Sequence, residues 1–301
     1  MKILFTLGIV LIMSNICYAQ KIDLTLNLES GKLYKQQIET KSIISQEVDG
    51  QKIGMEISNI SNMSFLVKKI QNENYELEVK YDMINMSIDN IMQFSSETKN
   101  EHDIFSAILS ELIGKPIEIT MSRKGRIIAI KNIEDLFEKI LEKFAEVPDI
   151  ELAKFQTQLK DAFGEAAFRS SIELFTAIYP ETSVQKGDKW NISTNLETGM
   201  SAMVTTNYEF QDQIPGYILI KGRSEIKSDK EADMESAGFI MNYDISGTMT
   251  SEIKMDKESG WIVEAIINQE MNGVSTIKPN ELMLEGMIVP ISITTSMTTK
   301  N

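Results

Sequence analysis

Acidic side chains in close sequence pairs are the residues whose type and spacing could do chemistry in this chain. The three pairs are Glu134 with Asp135, Glu231 with Asp233, and Asp256 with Glu258. Paired carboxylates can bind calcium or serve as the acid and base of a glycosidase. None of the pairs has the full spacing of a calcium loop, and helix starts and turns favour carboxylates in any protein. We therefore expect structural roles for these acids and no bound metal.

Histidine and cysteine, the other common reactive side chains, occur once each, as His102 and Cys17. Catalytic triads, zinc sites and haem sites need more of these residues than the chain offers. His102 comes directly before Asp103, a candidate helix cap, where a surface position is the simplest interpretation. The sequence thus predicts a protein that is not an enzyme, with no catalytic residue and no cofactor.

Methionine is frequent, with 18 residues in the chain. Thioethers can bind Cu(I), but Met83 and Met86 are three apart and would face opposite sides of a strand. Methionine also fills irregular apolar space. The apolar lining that we infer is either packed core or the wall of a cavity for a lipid or other apolar ligand. The candidate lining residues are Met241, Tyr243, Met249, Met255, Trp261, Phe137, Phe144 and Phe175.

Size and charge restrict the classes of partner. The chain has 301 residues, of which 42% are hydrophobic and 25% charged, so it can bury a sizeable core. Acidic residues outnumber basic ones by 44 to 30, and the net charge of −14 repels phosphate backbones and anionic membranes. We expect no nucleic-acid partner.

The beginning of the chain has the layout of a secretory signal peptide over residues 1–19. One lysine precedes the apolar run 3–13, and a small, polar segment follows it. The run is too short for a membrane-spanning helix, which needs roughly 20 residues. We expect cleavage after Ala19 and export to the periplasm or the exterior. Lipidation of Cys17 is disfavoured because Ile16, which is not a small residue, precedes it.

Residues 20–301 are expected to form a single β-rich domain. Alternation of apolar and polar residues, the pattern of strands with one buried face, dominates from Ile22 through Leu28 and in many later segments. The longest such run, 239–255, must bend, and Gly247 is the expected place. The predicted fold class is α+β, with a large curved antiparallel sheet and a central helical segment packed on its concave face.

Helical spacing appears in the middle of the chain. Asp103 is a candidate cap of a short helix, and a longer helical insertion is predicted around 133–178, with Asn132 as its cap. Pro148 should interrupt this insertion.

A weak internal repeat divides the β segments into two similar halves. Gly31–Tyr34 is matched by Gly187–Trp190, and two hairpins in the first half have counterparts, in the same order, in the second. If the repeat is genuine, the halves should join edge to edge in one sheet.

The sequence also resembles a known but uncharacterised family. The residues that carry this resemblance are IGKPIEITMSRKGRI, at 113–127, and YPETSVQKGDKW, at 179–190. They resemble a domain-of-unknown-function family of secreted Bacteroidota proteins, and the resemblance implies no catalytic residue. The outline of bowed sheet and helices is similar to periplasmic lipoprotein carriers and lipid-binding lipoproteins.

Two functions are consistent with these features. The first is an exported non-catalytic binding protein, in which an apolar small molecule or lipid lies between the curved sheet and the helices. The second is a structural or interaction module of the cell envelope that meets a protein partner and has no ligand cavity. A third hypothesis is a hydrolase that uses two carboxylates, but the sequence does not identify which two residues these would be.

Overall fold

One antiparallel sheet forms most of the protein. The computed structural model describes residues 21–89, 92–97, 103–197, 200–236, 239–281 and 283–301. The predicted signal peptide, Cys17 and His102 lie outside these residues. The described residues contain thirteen strands, which are β1 (Leu33–Val48), β2 (Gln51–Gln71), β3 (Asn74–Ile88), β4 (Met92–Ser95), β5 (Ile117–Ser122), β6 (Ile127–Lys131), β7 (Lys189–Glu197), β8 (Ser201–Ile214), β9 (Tyr217–Ser228), β10 (Met234–Ser236), β11 (Phe239–Asp256), β12 (Ile262–Ile277) and β13 (Met287–Lys300).

Four α-helices lie between the two groups of strands or within the first group. They are α1 (Ile104–Leu112), α2 (Ile133–Leu141), α3 (Asp149–Phe163) and α4 (Glu165–Thr176), and a 3₁₀ turn, Glu142–Phe144, follows α2. The Asp103 side chain accepts a hydrogen bond from the Ser106 backbone N–H at 3.2 Å, which confirms it as the cap of α1. The predicted interruption at Pro148 is also confirmed, because α3 begins directly after it.

The sheet order is β6-β5-β3-β2-β1-β13-β12-β11-β9-β8-β7, with β4 paired to β3 and β10 paired to β11. Each half of the chain forms one side of this order, and the pairing of β1 with β13 joins the two sides. The predicted α+β fold with a large antiparallel sheet made of two β halves is therefore confirmed.

The halves also share local irregularities. The backbone N–H of Gly31 donates to the carbonyl of Val67 at 2.8 Å, and the N–H of Gly187 donates to the carbonyl of Phe210 at 2.8 Å. A β-bulge follows both of these acceptors, since the pairing shifts after Val67 in β2 and after Phe210 in β8. Because bulges are specific features of a strand pair, their equivalent positions support the internal repeat.

The sheet bends strongly, and Gly247 in β11 marks one point of close approach. A Cβ atom placed on Gly247 would lie 2.2 Å from the carbonyl oxygen of Glu270 on the neighbouring strand. Only glycine allows β11 and β12 to approach in this way. The close approach of β11 and β12 thus requires glycine at this position, and the bend expected there stays a prediction.

Helix α4 touches both ends of the sheet. The Glu173 carboxylate accepts from the backbone N–H of Ile127, in β6, at 2.7 Å, and Arg169 donates to the carbonyl of the same residue. At the other end, the Ser170 hydroxyl of α4 accepts from the backbone N–H of Glu197, the last residue of β7, at 3.3 Å. Arg126, directly before β6, donates to the carbonyl of Ser193 in β7 at 2.7 Å. Because β6 and β7 are the two ends of the strand order, the sheet must curve far enough for one helix to reach both.

Two apolar clusters fill the concave side. The larger one unites residues of all four helices with inner-face residues of the sheet, including Phe65, Ile220 and Ile253. The second cluster consists mainly of β8, β9 and β11–β13 side chains, and Leu174 of α4 packs against it. Helices thus cover one end of the inner face more fully than the other.

Two local predictions were wrong. The alternating segment from Ile22 to Leu28 is not a strand, although Leu24, Leu26 and Leu28 are buried. Its backbone instead forms hydrogen bonds with turns, and the N–H of Leu26 donates to the carbonyl of Arg123 at 2.8 Å. Asn132 occupies the N-cap position of α2, but the predicted capping by its side chain is absent. Its side chain turns back to β5, where it accepts from the N–H of Glu118 at 3.1 Å.

Candidate functional site

The inner face of the sheet beyond the helices carries a line of apolar residues, which we call the apolar row; one member is a glycine and has no side chain. Its members are paired directly from strand to strand across β8, β9, β11, β12, β13, β1 and β2. They are Val204, Ile226, Gly247, Met271, Ile293, Ile44 and Met55. Because directly paired residues point to the same side of a sheet, these side chains form one surface.

Burial falls from one end of the apolar row to the other. Val204, Ile226 and Met271 are at most 2% exposed, whereas Ile293, Ile44 and Met55 are only half-buried. Leu174 and Leu196 pack against the cluster that contains the buried end. The half-buried end lies on β13, β1 and β2, where these apolar side chains are partly exposed to solvent.

Charge separates the two faces of the sheet. On β1, the outward positions include Lys35, Glu39 and Lys41, while the inward positions from Tyr34 to Val48 carry no charge. The same separation holds on β9, where Lys221, Arg223 and Glu225 point outward. An inner face without charge suits a neutral or apolar group and disfavours an ion, whose burial is costly.

The eight predicted lining residues divide between two regions. Met255, Trp261, Phe137 and Phe175 are buried in the larger cluster, and Phe144 packs against it. Met249 belongs to the second cluster, and Tyr243 packs against that cluster. Met241 lies beside Tyr243, whose hydroxyl is 3.1 Å from the Met241 sulfur. The structure does not bring the eight together at one place, and their role in lining a ligand stays a prediction.

Two open concavities have other linings. A groove of about 450 Å³ between α4 and β7 is lined by residues that include Arg126, Arg169 and Glu173. Its charges are paired, since Arg126 lies 3.4 Å from Glu173 and Arg169 lies 2.9 Å from Glu165. A second concavity of about 520 Å³ lies on the outer face and includes the polar residues Lys35, Gln37, Asn62, Ser64, Asp82 and Lys300. None of the eight predicted lining residues contributes to either concavity.

The acidic pairs are part of local structure. Asp256 accepts hydrogen bonds from the backbone and hydroxyl of Ser259 in the β11–β12 turn. Asp233 forms a 2.5 Å ion pair with Lys278. Glu134 and Asp135 are exposed in the first turn of α2. Among the described residues, no group of three or more histidine, cysteine or acidic side chains is placed to hold a metal ion.

Buried tyrosines make the larger cluster sensitive to alkali. Burial raises the pKa of Tyr208 to about 12, and burial also raises the pKa of Tyr81 and Tyr179 above its usual range. Since the folded-state pKa exceeds the unfolded value of about 10, these residues stabilise the fold below that pH and lose this contribution as the pH rises.

We expect tyrosinate absorbance to rise in two phases during an alkaline titration, with the later phase accompanied by loss of circular dichroism. Tyr208→Phe should move the unfolding midpoint to higher pH, and Tyr217→Phe, a half-buried position, serves as its control. Ionisation of all tyrosines in one phase with a native spectrum would contradict the burial seen here.

Comparison with known proteins places the chain in a family. The profile of the "Family of unknown function (DUF6263)" matches residues 72–262, well over half of the chain. The chain belongs to the DUF6263 family. The DUF6263 match contains both sequence stretches that suggested a family of unknown function, so that part of the expectation is confirmed. Secretion and a Bacteroidota source stay predictions.

The DUF6263 region extends from the β2–β3 turn to the first residue of β12. It includes all four helices and Val204, Ile226 and Gly247 of the apolar row, whereas Met271 lies beyond its end. The half-buried end, with Ile44, Met55 and Ile293, lies outside it. None of the helices in the described ranges is long and apolar enough to cross a membrane.

Similarities to solved structures are distant. A lipovitellin structure, reported for its lipid–protein interactions, has 13% identity and a TM-score of 0.48, and the match covers 91% of this chain. The chain spans 25% of that lipovitellin chain. A DUF1329 family protein from Desulfovibrio piger has 9% identity and a TM-score of 0.13, with 88% of this chain and 84% of that one covered. These scores are too low to transfer a function. A search of curated proteins finds no significant match.

Sequence reasoning missed Ile44, Met55 and Ile293 as candidates for the open part of the surface. Their alternation was visible, but alternation shows only which residues share a face. Strand register brings these three residues side by side, and it depends on pairings between β13, β1 and β2 that are distant in sequence.

Proposed function

We propose that the protein is an exported, non-catalytic binding protein that holds a lipid or other apolar ligand between its curved sheet and its helices. The observation that carries this proposal is the apolar row, which is sealed at Val204 and Ile226 but half-open at Ile44 and Met55. Leu174 of α4 packs against the buried end of the row, and a bound acyl chain would cover the half-open end.

The energetic basis is the removal of apolar surface from water. Each methylene group that becomes buried contributes about 0.8 kcal/mol, so a long acyl chain along the row gains much more than a small apolar molecule. The surrounding charges lie on the outer face, where they keep the loaded protein soluble in water. This separation supports a carrier or binding role for the periplasm or the cell exterior.

Export is supported by the signal-like segment 1–19, and a non-catalytic role is supported by the structural use of the acidic pairs. Cleavage after Ala19 can be checked by mass spectrometry of the protein recovered from the periplasm or the medium of its native host. Retention of the intact segment in the cytoplasm would contradict export.

Ligand binding is tested first on protein purified without detergent. We expect organic extraction and mass spectrometry to recover a lipid in stoichiometric amount, and the extracted protein to bind the dye N-phenylnaphthylamine while folded. Met55→Glu should weaken dye binding by about tenfold or more, because it places a carboxylate on the open end of the row.

The matched control is Met203→Glu. Met203 is also a strand methionine, but it is 56% exposed on the outer face of β8. This change should alter dye binding by less than about twofold. Equal effects of the two variants, or the absence of both lipid and dye binding in the folded wild type, would refute the proposed function.

An interaction module is the second candidate, and the exposed apolar residues near the hairpin ends favour it. Ile53, Ile240, Leu284 and Ile288 are between 47% and 82% exposed. If they form a contact with an envelope protein, a stable partner should be recovered from the native host, and Leu284→Asp should release that partner. Recovery of the partner by a protein without bound lipid would favour this function over ligand binding.

A further inference from the structure

Uncharged polar side chains cluster on the inner face where the two halves of the sheet join. We call this cluster the polar seam. Its members lie on β12, β13, β1 and β2, and they are Gln269, Thr295, Thr299, Gln36, Thr40, Ser42, Asn59 and Ser61. Ser42 is paired with Thr295, and Thr295 is paired with Gln269, so the polar groups are neighbours across strands.

The polar seam borders the half-open end of the apolar row. Ser42 and Ile44 point to the same side of β1, as do Thr295 and Ile293 on β13. Positions two residues apart on a strand are separated by about 6.6 Å. A molecule with one polar end could therefore contact the seam while its apolar part follows the row.

Two amide oxygens in the seam are buried without a partner. They are Gln36 Oε1 and Asn59 Oδ1. Gln36 is 2% exposed and lies eight residues along β1 from Ile44, about 26 Å, so a ligand on the row does not reach it. Asn59 is half-buried and paired with Thr40, and it lies four residues along β2 from Met55, about 13 Å, beside the half-open end. A buried acceptor without a donor costs about 1–3 kcal/mol, so a donor delivered to this place gains more than it would on the surface.

The inward positions of β12, β13, β1 and β2 contain no lysine, arginine, aspartate or glutamate among the described residues. A charged headgroup buried there would have no counter-ion, which is costly. A hydroxyl or amide group carries no charge and can donate a hydrogen bond to the Asn59 oxygen.

We propose that the ligand is an uncharged amphiphile whose hydroxyl or amide group binds the polar seam while its hydrocarbon chain lies along the apolar row. This inference rests on the proposed function and narrows it to a chemical class. Asn59 supplies the acceptor, and the hydrocarbon chain runs from it along the inner face of β1 and β2 to Ile44 and Met55 at the half-open end of the row. Fatty acid anions and cationic amphiphiles are expected to bind more weakly.

The experiment measures displacement of N-phenylnaphthylamine from the delipidated full secreted chain by four ligands, each with a saturated chain of sixteen carbon atoms. Monopalmitoylglycerol is neutral and has hydroxyl donors, methyl palmitate is neutral without donors, palmitate is an anion and hexadecyltrimethylammonium is a cation. We expect monopalmitoylglycerol to displace the dye at a concentration about tenfold lower than methyl palmitate, as one well-placed hydrogen bond allows. The two ions should be weaker still.

Asn59→Leu should reduce this tenfold preference to about threefold or less, with methyl palmitate binding retained. Asn62→Leu is the matched control, because Asn62 is an asparagine of the same strand that points to the outer face, where it accepts a hydrogen bond from Gln37. Circular dichroism and thermal unfolding check that both variants are folded.

The outcomes separate this inference from the function on which it rests. Equal displacement by monopalmitoylglycerol and methyl palmitate, or an unchanged preference in Asn59→Leu, would show that the seam does not bind the polar group and would leave apolar binding intact. Stronger displacement by palmitate would also overturn the inference. Failure of the folded wild type to bind the dye at all would refute both proposals.

Discussion

Gly125→Ala is expected to lower the free energy of unfolding by about 3 to 6 kcal/mol, or to prevent folding altogether. Gly125 has a φ angle of +73°, which disfavours any residue with a Cβ atom. A Cβ atom would also lie 1.8 Å from the backbone carbonyl oxygen of Thr176, far inside any allowed contact. The turn and the end of α4 would have to separate, which also breaks the bond from the Thr176 hydroxyl to the Gly125 carbonyl.

Gly216→Ala is the matched control. Gly216 also has a positive φ, +80°, but a Cβ atom there would meet nothing within 4 Å. Its replacement should cost only the backbone strain, about 1–2 kcal/mol. Urea denaturation of both variants measures the difference. Equal losses in the free energy of unfolding for Gly125→Ala and Gly216→Ala would contradict the close approach of Thr176 to Gly125.

This contact has a counterpart in the second half of the chain. Gly260, in the β11–β12 turn, approaches the carbonyl oxygen of Thr25, as Gly125 in the β5–β6 turn approaches Thr176. Each turn thus receives the segment that precedes the first strand of the other half. Tyr179 connects the two contacts, since its ring lies beside Gly125 and its hydroxyl donates to the Gly260 carbonyl at 2.6 Å. The two halves are therefore held together by reciprocal contacts as well as by the pairing of β1 with β13.

The fold was predictable where local pattern and tertiary structure agree. Alternation located most strands, because a strand with one buried face repeats every two residues. The same pattern failed at Leu24 and Leu26, which are buried in alternation although their backbone bonds to turns. Side chains that are buried by contacts distant in sequence can show the same alternation of apolar and polar residues as a strand. The prediction that the Asn132 side chain caps α2 failed for a related reason, because its amide forms hydrogen bonds with the backbone of Pro116 and Glu118, at the start of β5, and not with the helix beside it.

The candidate site was less predictable than the fold. Sequence identifies the inward positions of β1 and β13, but the juxtaposition of Ser42 with Thr295 and of Ile44 with Ile293 depends on a pairing between the two ends of the chain. The polar seam was hidden for the same reason. Gln36, Thr40 and Ser42 follow the inward alternation of β1, and only the register shows that they meet other uncharged polar groups. The part of the row that the helices cover also depends on contacts distant in sequence, so the sequence does not show which part is open.

Trp261 tests whether a predicted lining residue belongs to the core or to a binding surface. It is 2% exposed, and its ring lies 5.2 Å from Tyr34 and 5.1 Å from Phe65, on strands of the other half. Loss of a buried aromatic side chain typically costs about 3–5 kcal/mol, so Trp261→Ala should lose that much in urea denaturation. Trp190→Ala, which removes a half-buried ring stacked on Tyr208, should lose about 1–2 kcal/mol.

Trp261→Phe keeps an aromatic ring in the core and loses the indole N–H that donates to the Lys35 carbonyl at 3.3 Å. If Trp261 acts only through packing, this variant should lose less than about 2 kcal/mol and bind N-phenylnaphthylamine as the wild type does. A folded Trp261→Phe protein with unchanged stability and dye binding weakened by about tenfold would instead place Trp261 at the ligand. Because the ring is enclosed by Tyr34 and Phe65 on the side covered by helices, we expect the first result, with the apolar ligand confined to the half-open end of the row.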